Sequence, residues 1–234
     1  MTLRQMTPRR VKISWQLLKR FVQYRWGNEN IRFAKPAAPS FVPQRVVLSQ
    51  PVRRSYLYEN KLANLRLGGE RVGRYVVRPG ETFSFWRAVG PPTARRGFLP
   101  GRNLIGGELR EDFGGGLCQL SGLLYHLSLL SGLEILERHN HSADIYQDDE
   151  RFTPLGADAT VVYGYRDLLI RNNFAEPVSF SVQVHDNQVV GVLHCTGPVA
   201  ARKLEFRRVP LAGGGKVVFT LNEWGETLCR SVYK

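Results

Sequence analysis

Apolar residues recur at helical spacing in two long stretches of the chain. Between Arg10 and Trp26 they fall at Val11, Trp15, Leu18, Val22 and Trp26, with Leu17 and Phe21 beside them and Lys or Arg on the remaining face. That pattern predicts a basic amphipathic helix. Leu117, Leu120, Leu124 and Leu127, widened by Leu123 and Leu130, predict a stronger helix over 117–131, opened by Gly114-Gly115-Gly116 and closed by Gly132. A shorter helix over 59–67 is expected to stop at Gly68-Gly69. Strands are predicted at 74–77, 82–86, 97–105, 134–137, 142–146, 159–162, 168–172, 178–184 and 189–195, with a last short strand beyond the Gly213-Gly214-Gly215 turn. Pro36, Pro39, Pro43 and Pro51 make 35–51 an extended connection. A helix followed by many strands predicts an α+β fold, with an antiparallel sheet packed against the central helix that begins at Gly-Gly-Gly-Leu-Cys. The expected organisation is a basic arm over 1–54, a main domain over 55–200 and a β extension over 201–234.

Charge changes the picture of the first helix. The 234 residues carry a net charge of +13, but it is concentrated: residues 1–54 hold 12 Lys+Arg and one acid, and residues 55–234 hold 21 Lys+Arg and 19 Asp+Glu. Two readings of the arm follow, a helix packed on the domain with a solvated basic side and a helix lying on an anionic membrane surface. Nucleic acid is not expected, because no helix-turn-helix, zinc-finger or RNP pattern accompanies the charge. Charges interrupt the N-terminal apolar positions, so a secretory signal is not expected. No apolar run reaches the roughly 20 residues a bilayer span requires. The expected location is cytoplasmic, peripheral at most on the inner membrane face. Three cysteines without a C-x-x-C pair exclude a disulfide framework and a thiolate zinc site, and no metal or cofactor is expected.

Candidate chemistry centres on Cys118. It falls in the first turn of the predicted helix directly after three glycines, where the helix N-terminus favours a thiolate and backbone N–H groups can face an oxyanion. His139 and His141 follow some twenty residues later, where an imidazole could take the thiol proton, and Asp158 could orient that imidazole. Read alone, Cys118 is equally well a small buried residue and the histidines strand-edge groups. His126, His185, His194, Cys195 and Cys229 are read as structural.

Five segments together carry a resemblance: Leu62-Ala63-Asn64-Leu65-Arg66-Leu67, Arg78-Pro79-Gly80-Glu81-Thr82-Phe83-Ser84-Phe85-Trp86, Gly114-Gly115-Gly116-Leu117-Cys118-Gln119, Glu137-Arg138-His139-Asn140-His141 and Gly156-Ala157-Asp158-Ala159-Thr160. In order and spacing, over roughly residues 55–195, the chain resembles the VanW family, members of which accompany glycopeptide resistance. Secreted proteins with VanW modules are attributed L,D-transpeptidase activity on peptidoglycan. The resemblance therefore implies a cysteine acyltransferase or peptidase acting on a peptidoglycan stem peptide or precursor. Cys118 would be the nucleophile, His141 the base with His139 second, and Asp158 the orienter. Gly114, Gly115, Gly116, Gln119 and Arg138 would contact substrate. The alternative is a non-catalytic accessory protein that binds such a precursor or a membrane surface.

Overall fold

The computed structural model describes residues 8–27, 31–38, 44–54, 56–105, 108–141, 151 and 153–234. Its elements in order are α1 (Arg9–Trp26), β1 (Lys35–Pro36), β2 (Gln44–Pro51), α2 (Tyr58–Val72), β3 (Tyr75–Val77), β4 (Thr82–Ser84), α3 (Phe85–Val89), β5 (Pro100–Ile105) and β6 (Glu108–Phe113). There follow α4 (Leu117–Ser131), β7 (Glu134–Glu137), β8 (Leu169–Arg171), β9 (Val178–Val184), β10 (Gln188–Cys195), β11 (Glu205–Pro210), β12 (Lys216–Leu221) and β13 (Thr227–Tyr233). The fold is α+β. Its main sheet is antiparallel in the order β1-β3-β9-β10-β2, with smaller sheets β4-β8-β7 and β11-β12-β13 and the hairpin β5-β6.

Two helices cover the main sheet, α4 over β2 and β10 and α2 over β9. α4 is apolar on nearly every side, as a helix enclosed by its own domain must be: Leu117, Leu120, Leu123, Leu124 and Leu127 are all buried in one core with Leu65, Phe83 and Phe180. Gly132 ends it with φ +80°, in the left-handed region that a side chain disfavours.

Some elements depart from the pattern. α2 does not stop at Gly68-Gly69 but runs through them, because both glycines are contact points: a Cβ on Gly68 would lie 2.7 Å from Leu120 Cδ2, and one on Gly69 2.8 Å from Val182 Cβ. Bare backbone here lets α2 approach α4 and β9 together. The strand expected over 82–86 ends at Ser84, whose hydroxyl accepts a hydrogen bond from Arg87 N at 3.2 Å and caps α3. In the described parts of 35–51 the chain is extended at 35–38 as expected, and β2 is a full strand paired with β10 from Gln44↔Cys195 to Pro51↔Gln188. Val46 and Gln50 face inward there, so the sheet takes in residues ahead of the boundary drawn at 54. The expected strand 159–162 joins no ladder beyond an isolated Val162↔Arg166 bridge, and 142–146 lies outside the described residues.

α1 packs on the domain by the opposite face from the one its apolar stripe suggests. Arg20 reaches Glu137 at 2.5 Å and the Tyr165 carbonyl at 3.0 Å, the Tyr24 ring meets Phe33 at 5.3 Å, and Ile13 packs against Gly164. Val11, Trp15, Leu18, Val22 and Trp26 point away from the protein and are exposed. Among the described residues no helix is long and apolar enough to cross a membrane.

Candidate functional site

The approach to Cys118 is built by packing. Gly115 lies against Gly101 of β5 so closely that a Cβ on it would stand 2.6 Å from Gly101 Cα. Asn64 of α2, fully buried, clamps the same turn: its amide donates to Gly115 O and Leu99 O, each at 3.0 Å, and its carbonyl accepts from Leu99 N at 2.8 Å. Gly114 and Gly116 take φ +87° and +100°, which glycine alone adopts without strain. The turn then delivers Cys118 as the second residue of α4.

Two further segments converge on that helix start. Ser121 donates to Ala159 O at 2.7 Å, and the Asp158-Ala159 backbone lies against the helix at Gly122. Thr160 N donates to His139 O at 2.7 Å, which ties this segment to the one continuing from β7. The Cys118 thiol is thereby set 3.6 Å from Thr160 Oγ1 and 3.7 Å from the Val161 carbonyl.

His141 and Asp158 form a close pair across the two segments. Asp158 Oδ2 accepts from His141 Nδ1 at 2.7 Å and from His141 N at 2.8 Å. A carboxylate only accepts, so Nδ1 carries the proton and Nε2 is left for another partner. Asp158 Oδ1 accepts from Arg138 at 2.9 Å and from the Tyr233 hydroxyl. Burial opposes charge on Asp158, and these donors outweigh it, holding its pKa well below the usual carboxylate range. Burial likewise disfavours charged His141, but Asp158 and then Cys118 outweigh it and raise the imidazole to about 10. Burial pushes the Cys118 thiol up, and the neighbouring imidazole of His141 more than offsets it, so the net shift is downward. The two shifts describe one preference, for thiolate beside imidazolium.

Other expected residues sit elsewhere. His139 is turned from the thiol: its Nε2 meets Glu137 Oε1 at 3.0 Å. Arg138 was expected to meet substrate, yet its guanidinium is 4% exposed and committed within the protein. It donates to Asp158 O at 2.7 Å and Ser231 Oγ at 2.5 Å and lies 4.8 Å from the Tyr125 ring centroid. Gln119 was also expected to meet substrate; it is buried, with its amide on Pro51 O at 2.9 Å, so it fastens α4 to the end of β2. The triglycine packs on β5 and α2. Thr160, Val161 and Tyr233 were missed. Thr160 ends a motif already singled out, whereas nothing in sequence links Tyr233 to residue 158. Among the described residues no group of three or more His, Cys, Asp or Glu side chains is arranged to hold a metal ion.

Comparison with known proteins places these segments in a family. A family described as VanW like protein matches residues 60–194, a span that contains Asn64, the triglycine turn, Cys118, His141 and Asp158. The chain belongs to the VanW-like family. Within it, the chain is 33% identical over 133 residues to the vancomycin B-type resistance protein VanW of Enterococcus faecalis, covering 57% of this chain and 48% of that protein. It is 30% identical over 149 residues to the uncharacterized protein YoaR of Bacillus subtilis, covering 64% of this chain and 46% of that one. The chain thus spans about half the length of these VanW-like relatives. No solved structure matches it.

Proposed function

We propose that this VanW-like protein is a cysteine-dependent acyltransferase acting on peptidoglycan stem peptides or their precursors, in cell-wall metabolism or in the vancomycin resistance that its relative's name indicates. The observation that carries the reading is the His141–Asp158 pair at 2.7 Å beside a thiol of lowered pKa at a helix N-terminus. In the first step the Cys118 thiolate attacks the peptide carbonyl, whose oxyanion faces the backbone N–H of Cys118, since Leu117 N and Gln119 N are bonded to Gly114 O and Gly116 O. The C–N bond breaks as protonated His141 gives its proton to the departing amine, leaving a thioester on Cys118. In the second, an acceptor amine attacks the thioester, His141 takes the proton of that amine, and the C–S bond breaks to restore the thiolate.

Alkylation by iodoacetamide across pH is the direct test. Cys118 is expected to react at a pH where an ordinary thiol near 8.5 is still protonated. His141→Ala should move the reactive pH upward, whereas His139→Ala should leave it in place. A profile for Cys118 no different from that of a free thiol would overturn the reading. Precursor binding that survives Cys118→Ala with no acyl transfer by the unmodified protein would point to the accessory alternative.

A further inference from the structure

We propose that α1 is an in-plane anchor for an anionic lipid surface, its outer face set among headgroups while its inner face stays clamped to the domain. The inference is independent of the thiol chemistry. Its first support is that the helix has two faces with different employment. Ile13, Arg20 and Tyr24 hold it to the domain, yet no residue of α1 is buried. Val11, Trp15, Leu18, Phe21, Val22 and Trp26 remain exposed, Trp15 by 57% and Trp26 by 72%. A soluble helix normally turns such a stripe inward, so something of matching chemistry is expected to cover it.

Charge says which chemistry. α1 has six Lys and Arg and no acid. Three turns of helical geometry place Lys12 and Lys19 along one border of the apolar stripe and Arg10 along the other, and Lys19 Nζ stands 5.4 Å from the Trp15 ring centroid. Cations bordering an apolar band with tryptophan in it suit a headgroup layer, where stems lie with the apolar face and charges reach phosphate. Arg9 is spent on Asp112 and Arg20 on Glu137, which leaves Arg10, Lys12, Lys19 and Arg25 for phosphate, and duplex DNA would meet the apolar stripe rather than a basic one.

The inner face gives the anchor a direction. Arg20 bonds Glu137, one residue before Arg138, and the Tyr165 carbonyl, four residues beyond Val161. The helix therefore touches the chain on either side of the segments that hold His141 and Asp158, and a lipid surface on its far side would stand about one helix diameter, ~10 Å, from Glu137 and Tyr165.

The test is co-sedimentation of the full chain with vesicles of phosphatidylglycerol and phosphatidylcholine, against phosphatidylcholine alone, at low and high salt. Pelleting is expected with the anionic vesicles and is expected to fall at high salt. The double variant Leu18→Glu, Val22→Glu should partition at least about tenfold less, and its circular dichroism and melting should be unchanged because both side chains are exposed. Cys118→Ala should bind like the unmodified protein. The proposal is overturned by no pelleting at low salt, by equal pelleting with neutral vesicles, or by a double variant that pellets as before. It is equally overturned if light scattering shows a dimer that the double variant abolishes while vesicles are not bound, which would assign the face to a second copy.

Discussion

Asp158 uses both oxygens in both directions of the site, toward His141 on one and toward Arg138 and Tyr233 on the other. An amide in its place keeps the shape but offers one acceptor instead of two. Asp158→Asn is therefore expected to return His141 toward its ordinary pKa and with it the Cys118 thiol, slowing alkylation near neutral pH by about tenfold or more, since each pKa unit is a factor of ten in thiolate. The measurement is the pH–rate profile of the variant; an unshifted profile would mean that His141 does not depend on Asp158. At this scale the residues alone pointed to Cys118, both histidines and Asp158, and only the family resemblance put His141 ahead of His139. Which of the two meets the carboxylate depends on Glu137, whose Oε1 takes His139 and whose Oε2 takes Arg20 and Tyr24. A pair of histidines two residues apart carries no sign of which side has such a neighbour.

Among the elements, α1 and α2 behave in opposite ways. α2 is set by interior groups: Asn64 satisfies three backbone groups of the turn before Cys118 and the start of the hairpin. Asn64→Ala should lower stability by about 1–3 kcal/mol for each of these groups left buried without a partner, read from denaturant unfolding. α1 rests on surface contacts, among them the Glu137 carboxylate that takes Arg20 and Tyr24. Burial disfavours charge on Glu137, and His139 and Arg20 outweigh it, drawing it down to about 2 from an ordinary 4.5. A depressed carboxylate stabilises fully above its unfolded value, and that contribution fades as pH falls from about 4.5 toward 2. Amide exchange in α1, normalised to intrinsic rates, should accelerate through this window, and Glu137→Gln should remove the pH dependence. Helix periodicity and the strands 134–137 and 178–184 were legible because local pattern and burial agree there. The missed hairpin strand β6, the passage of α2 through two glycines and the outward stripe of α1 were not, since each follows from what lies opposite, which spacing alone does not contain.

On the scale of the molecule, Arg138 joins parts of the chain that sequence reading kept apart. It carries Asp158 on one side and Ser231 and Tyr233 of the C-terminal sheet on the other. Arg138→Met would leave Asp158 with His141 and Tyr233 but without its guanidinium donor, a loss of about 1–3 kcal/mol, and should cost thiol reactivity along with stability; melting and alkylation measured on one sample would reveal whether the two fall together. The Asp158 carboxylate thus draws donors from both sides of the boundary expected at 200. There is also a consequence in time. Cys118, His141 and Asp158 have all been made once the ribosome passes residue 158, while the Tyr233 hydroxyl on the same carboxylate follows about 75 residues later. A nascent chain therefore carries its nucleophile, base and orienter for that stretch of synthesis with one donor of the Asp158 carboxylate still to come.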